Sequence, residues 1–168
     1  RSPMKMLSWK QAALLVLTLG LLDGARAATV TSGGYTNDFS SQPPAVDWAT
    51  RTFGGAAGDV TTLAGLTNAV QTNSASQITA QTTLNTGNPP ANLAAATWSS
   101  TGFYLQTRPT QNAVTLLMAT FTNATGGDSL SVQIQYDYVT NRAAGAVEEV
   151  RGQVVFYSLT GATNSWTP

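Results

Sequence analysis

Between residues 130 and 138 the chain alternates without a break, with Leu130, Val132, Ile134, Tyr136 and Tyr138 in one row and Ser131, Gln133, Gln135 and Asp137 in the other. A period of two sends each row to its own face of a strand. The stretch therefore predicts a half-buried β-strand and is the clearest structural signal in the sequence. Just upstream, "AVTLLMATF" (113–121) is apolar in both rows, with Val114, Leu116 and Met118 against Leu117, Ala119 and Phe121. That pattern predicts a central strand covered on both sides. "GFYLQTRP" (102–109) sets Phe103, Leu105 and Thr107 against Tyr104, Gln106 and Arg108 and stops at Pro109, which cannot donate to a ladder. Gly126 and Gly127 turn the chain between residues 113–121 and 130–138. "VTNRAAGAVEE" (139–149) is a polar loop, and "VRGQVVFYSL" (150–159) supplies a further strand, followed by a turn at Gly161 and the start of another strand at Trp166.

The first half of the chain is less regular. "TVTSGGYTNDF" (29–39) reads as an initial strand or strand pair around Gly33 and Gly34, and Pro43 and Pro44 end regular pairing. Trp48 and Phe53 are placed as covers for one end of a core. From residue 54 to 98 small residues mix with a faint helical period, in which Asp59 caps a short helix carrying Val60, Leu63, Leu66 and Val70. "NTGNPPAN" (85–92) is a loop. Recurrent turns between short β-branched and aromatic runs define an all-β class, an antiparallel β-sandwich with one short helix.

The N-terminus changes what counts as the folded chain. Lys5 and Lys10 precede an apolar run of about a dozen residues (12–22), and Ala25 and Ala27 stand at the small-residue positions of a signal peptidase site. The run is shorter than the roughly 20 residues of a spanning helix. Residues 1–27 read as upstream residues plus a signal peptide cleaved after Ala27, the alternative being an uncleaved anchor; residues 28–168 form one domain. Localisation follows: exported, to the periplasm, cell surface or medium. The 168-residue chain is neutral overall, but beyond residue 27 four arginines face seven acids, a net charge of −3, and no lysine remains. Without a basic stripe, a nucleic-acid partner is not expected. The sequence has no cysteine and no histidine, which excludes disulfides, thiol nucleophiles, imidazole acid–base catalysis and nearly all zinc, copper and haem sites.

The last strand signals carry a resemblance. "YSLTGATNSW" (157–166) is similar to a YS-x-D/T-G-x-x-x-x-W hairpin of secreted bacterial β-sandwiches, and more loosely to the Asp-box turn of sialidase-like propellers. Thr160 replaces the Asp-box aspartate and the spacing to Trp166 is one residue longer, so no propeller is carried over. With "YTNDF", "TRPT" and "LLMATFTN" in the same order, residues 35–168 resemble the N-terminal, jelly-roll-like β-sandwich domains of large, uncharacterised secreted proteins of environmental bacteria. The resemblance implies an exported module with no assigned catalytic role, with further domains after residue 168, and it transfers no functional residues. A partner strand for Trp166 is accordingly expected beyond Pro168, because finished domains blunt an exposed edge.

Candidate chemistry is sparse. Glu148 and Glu149 are adjacent, so on a strand they point to opposite faces, whereas glycoside hydrolysis needs two carboxyls facing each other at roughly 5–9 Å. The Gly126–Ser129 turn with Asp137, Asp38 or Asp47 offers oxygen ligands for a structural calcium, against a plain hairpin turn, and no EF-hand-like run supports it. No other cofactor is expected. Asn123 begins an N-x-T glycosylation acceptor. The sharpest ligand site is a sheet face carrying Tyr104, Gln106 and Arg108 beside Gln133, Gln135 and Asp137, because sugars stack on rings and bond to amides and carboxylates. An ordinary solvated strand face gives the same alternation. Trp48, Trp98 and Trp166 fit core lids better than sugar platforms. The sequence thus favours a non-catalytic extracellular or cell-surface module for adhesion, presentation or spacing, with a polysaccharide or cell-envelope component as partner. The alternatives are a carbohydrate-binding module and the accessory domain of a hydrolase encoded downstream.

Overall fold

The computed structural model describes residues 27–54, 60–91, 93–107, 113–128, 131–139 and 153–168. Among these residues the fold is predominantly β, with strands in three small sheets and one α-helix. The first sheet joins β1 (Ala28–Val30) to β8 (Phe121–Asn123) in parallel. The second has the order β3 (Ala80–Gln81), β2 (Trp48–Gly54), β7 (Ala113–Ala119), all antiparallel. In the third, β4 (Thr83–Asn85) runs parallel to β5 (Thr97–Ser99), which pairs antiparallel with β6 (Tyr104–Gln106). Helix α1 spans Leu63–Gln71.

The apolar run 113–121 becomes two elements because the chain changes partner at Thr120. There Thr120 N–H donates to the Asp47 carbonyl at 2.9 Å, one step beyond the β2 register, and β8 then aligns with β1. β7 is not the central strand its composition suggests: β2 is central, and β7 is an edge strand among the described residues, half-buried along its whole length. The residues that cover β7 on one face are small. Thr52 and Thr115 lie opposite one another and both donate to the Ala94 carbonyl, at 2.7 and 2.5 Å, while Thr50 donates to Leu116 O at 2.8 Å and accepts from Ala96 N at 3.3 Å. Apolar packing and threonine hydrogen bonds share this interior: Ala49, Val70, Ile78, Ala96 and Trp98 are buried together with Thr50, Thr82, Thr97 and Ser99.

Helix α1 begins later than its sequence signal. Thr62 is the N-cap, its hydroxyl accepting from Gly65 N at 3.0 Å, and Asp59 lies outside the described residues. Of the predicted apolar face, Val70 is buried, Leu66 half-buried and Leu63 exposed. The largest departure concerns the alternating run. Residues 131–139 form no strand in the structure, and Val132, Ile134, Tyr136 and Tyr138 are 80, 58, 54 and 51% exposed. Alternation makes a strand only where a neighbour supplies the ladder, and among the described residues this stretch has none.

The C-terminal hairpin is held by side chains more than by a ladder. Tyr157 and Thr167 exchange two backbone bonds of 2.8 Å, and Ser158 Oγ meets Ser165 Oγ at 2.6 Å. The hairpin then docks on the end of α1. Trp166 Nε1 donates to Asn73 O at 2.7 Å, Trp166 N donates to Gln71 Oε1 at 3.1 Å, the Gln71 amide donates back to Trp166 O, and Asn164 N reaches Gln71 O at 2.9 Å. Trp166 therefore finds its partner on a helix 95 residues earlier in the chain.

Candidate functional site

Tyr104 and Gln106 share one face of β6, as the sequence period requires. In register, that face continues through Ser99 and Asn85 on one side and Thr97 and Thr83 on the other. The loop after β4 folds over it. Tyr104 Oη donates to Asn88 Oδ1 at 2.9 Å, Gln106 Nε2 donates to Pro90 O at 3.5 Å, and Ser99 Oγ donates to Gly87 O at 2.7 Å. The tyrosine ring also lies across Gly102, where a Cβ would fall 2.8 Å from Tyr104 Cδ1 and 3.0 Å from Asn88 Oδ1. Glycine at 102 is what admits the ring. Both side chains are half-buried and serve the chain's own loop.

The other members of the predicted site lie elsewhere. Gln133, Gln135 and Asp137 are exposed on the 131–139 segment, outside the sheets formed among the described residues, and Arg108 lies outside the described residues, as do Glu148 and Glu149. Of the six residues, the described ones thus lie in two places, Tyr104 and Gln106 on β6 and Gln133, Gln135 and Asp137 on the 131–139 segment.

The indole N–H of each tryptophan in the described residues is taken by the protein. Trp48 donates to Tyr35 Oη at 3.1 Å, Trp98 to Phe39 O at 2.9 Å, and Trp166 to Asn73 O. Tyr35 stacks edge-on against Phe121 at 5.3 Å, and Phe39 against Trp48 at 5.2 Å. Phe39 holds a left-handed backbone (φ 54°), a costly state for a bulky residue, and its N–H is tied to Asn37 Oδ1 at 2.8 Å. The cluster is a lid, built by aromatic edges and satisfied polar tips.

The acids are scattered. Asp38 accepts from Ser40 N at 3.0 Å, and this bond with the Ser40 side chain holds its carboxyl below the usual aspartate range. Among the described residues no three carboxylates gather as a metal site would need. The 123–127 turn is closed by protein groups: Asn123 Nδ2 donates to Gly127 O at 2.9 Å, and Asn123 Oδ1 accepts from Thr125 N at 3.0 Å and Thr125 Oγ1 at 2.8 Å.

One feature that no sequence pattern pointed to is an open apolar concavity of about 380 Å³ whose lining includes Ala27, Ala45, Val46, Ile78, Met118 and Thr120. Its residues come from four separate stretches, so only the fold assembles them. Among the described residues no helix is long and apolar enough to cross a membrane. No family model, curated protein or solved structure matches the chain.

Proposed function

We propose that the chain is a non-catalytic, exported module of jelly-roll-like β-sandwich type that serves adhesion, presentation or spacing at a cell surface. The observation that carries this reading is where the polar and aromatic groups go. The three indoles, Tyr104 and Gln106 are all engaged in bonds that hold loops to strands, which is the economy of a scaffold. The chain's lack of histidine and cysteine is consistent with that role.

A carbohydrate-binding reading is the second, favoured by Gln133, Gln135 and Asp137 standing exposed beside Tyr136 and Tyr138 on one segment. An accessory role beside a downstream hydrolase domain is compatible with either. Affinity electrophoresis through gels containing soluble polysaccharides separates the two. A scaffold migrates unretarded. A carbohydrate binder is retarded, and Gln133→Ala abolishes the retardation without shifting Tm, since that side chain is exposed. Retardation that survives both Gln133→Ala and Tyr104→Ala removes the site named here.

A further inference from the structure

Among the described residues, two halves of a β-pair are without a partner strand. One is the outer edge of β7, which has no second partner strand among the described residues. The other is residues 132–139, whose alternating row of Val132, Ile134, Tyr136 and Tyr138 is more than half exposed. Exposed edges are normally blunted by lysine, proline, bulges or inward charges. Neither half carries such a device: "AVTLLMA" has no charge, and "VQIQYDYV" has a single aspartate, in its polar row. Their lengths are also similar, at seven residues and eight.

The faces of β7 decide how the two would meet. Thr115 and Leu117 look toward the side taken by Ala94 and Ala96, since their register partners Thr52 and Thr50 bond there. Leu116 and Met118 look the other way, and Met118 lines the open apolar concavity. Large apolar side chains added at the β7 edge find uncovered apolar surface on the Met118 side. The connection also suits an antiparallel return. Its 123–127 turn is closed by the Asn123 and Thr125 side chains, with Gly126 in the left-handed region at φ 88°.

We infer that residues 132–139 are the docking strand of the β7 edge in the same molecule, laid antiparallel with Ile134, Tyr136 and Tyr138 on the Leu116 and Met118 face. Among the described residues, 132–139 and β7 are not paired with each other. Docking extends the second sheet to four strands and takes the exposed tyrosines over the concavity; undocking offers an open β-edge to whatever extended chain competes for it.

The chain has no cysteine, so thiol trapping reads this directly. In the full chain, Met118→Cys is combined in turn with Ile134→Cys, Tyr136→Cys or Tyr138→Cys and oxidised at low protein concentration. A disulfide needs Cα atoms about 4.4–6.8 Å apart. One of the three pairs is expected to close within the molecule, about tenfold more completely than Met118→Cys with Gln133→Cys or Gln135→Cys, whose side chains leave from the opposite face. Equal trapping by both sets, or no trapping at all, overturns the inference. Disulfides found only between molecules overturn it in favour of a second copy at the edge. Hydrogen exchange on the unsubstituted chain guards against damage by the cysteines. Residues 113–119 and 132–139 should be protected together, and Ile134→Lys should speed both by about tenfold or more. Exchange of 132–139 at unstructured rates in the unsubstituted chain overturns docking outright.

Discussion

Two buried threonines that look alike in sequence are used in opposite ways. Thr50 is 2% exposed and its hydroxyl both donates to Leu116 O and accepts from Ala96 N, joining β2 to β7 and to the loop before β5. Thr97 is 1% exposed, and its hydroxyl is buried with no hydrogen-bond partner among the described residues. Removing a hydroxyl whose partners stay buried strands them and costs about 1–3 kcal/mol, whereas removing an unpaired one relieves a desolvation penalty. Thr50→Val is therefore expected to lower the unfolding free energy measured in urea by that amount, and Thr97→Val to leave it unchanged or raise it by up to about 1 kcal/mol. Equal losses in both would mean that the two hydroxyls are equivalent, against the bonding described. The residue types announce neither role. Threonine in a strand satisfies β-propensity whether or not its hydroxyl is used, so the distinction arises only from where the 94–96 loop passes.

Among the elements, the hairpin at 157–167 shows what a local pattern does and does not reveal. The turn at Gly161 was legible, because φ is +65° there and glycine supplies that state without strain. Its packing was not: a Cβ on Gly161 would lie 2.6 Å from Ala75 Cβ, and Ala75 N donates to Gly161 O at 2.7 Å, so the turn sits directly on the 3-10 turn at Ala75–Gln77. Gly161→Ala should cost about 1–2 kcal/mol from the backbone alone, plus the collision. Adding Ala75→Gly is expected to recover the collision and leave the backbone cost, which a double-mutant cycle by denaturant unfolding measures. No recovery would mean that the close approach is absent. Legibility elsewhere followed the same division. Strands β6 and β7 and helix α1 were visible because their periods are local. The strand Trp48–Gly54 and the strands at 80–85 and 97–99 were missed, since two to seven residues rich in Thr, Ala and Ser give no alternation to count. The 130–138 run erred in the other direction: its period is sound, but a period does not provide a neighbour. The six-residue ligand face needs two strands side by side, and among the described residues its members are not brought onto one sheet.

At the scale of the whole molecule, stability depends on contacts that close very long loops. The 157–167 hairpin is fastened to the end of α1 by Trp166 and Gln71, and α1 leads through Asn73, itself 3% exposed, to the 3-10 turn and β3. If this is one cooperative unit, loosening the hairpin must be felt at the helix and not in the third sheet. Trp166→Ala removes a half-buried ring and an N–H bond, a loss of about 2–3 kcal/mol; Trp166→Phe keeps most of the ring and forfeits about 1 kcal/mol for the bond. Hydrogen exchange should then show Asn73 N and Ala75 N, which bond to Val70 O and Gly161 O, exchanging faster in both variants and most in the alanine. The amides of β5, paired on both sides by β4 and β6, should keep their rates. Acceleration confined to residues 157–167 would mean that the hairpin is an appendage. Uniform acceleration would mean that every amide exchanges by global unfolding. Only the graded pattern, helix end and hairpin together with β5 spared, matches a hairpin that locks the helix in place.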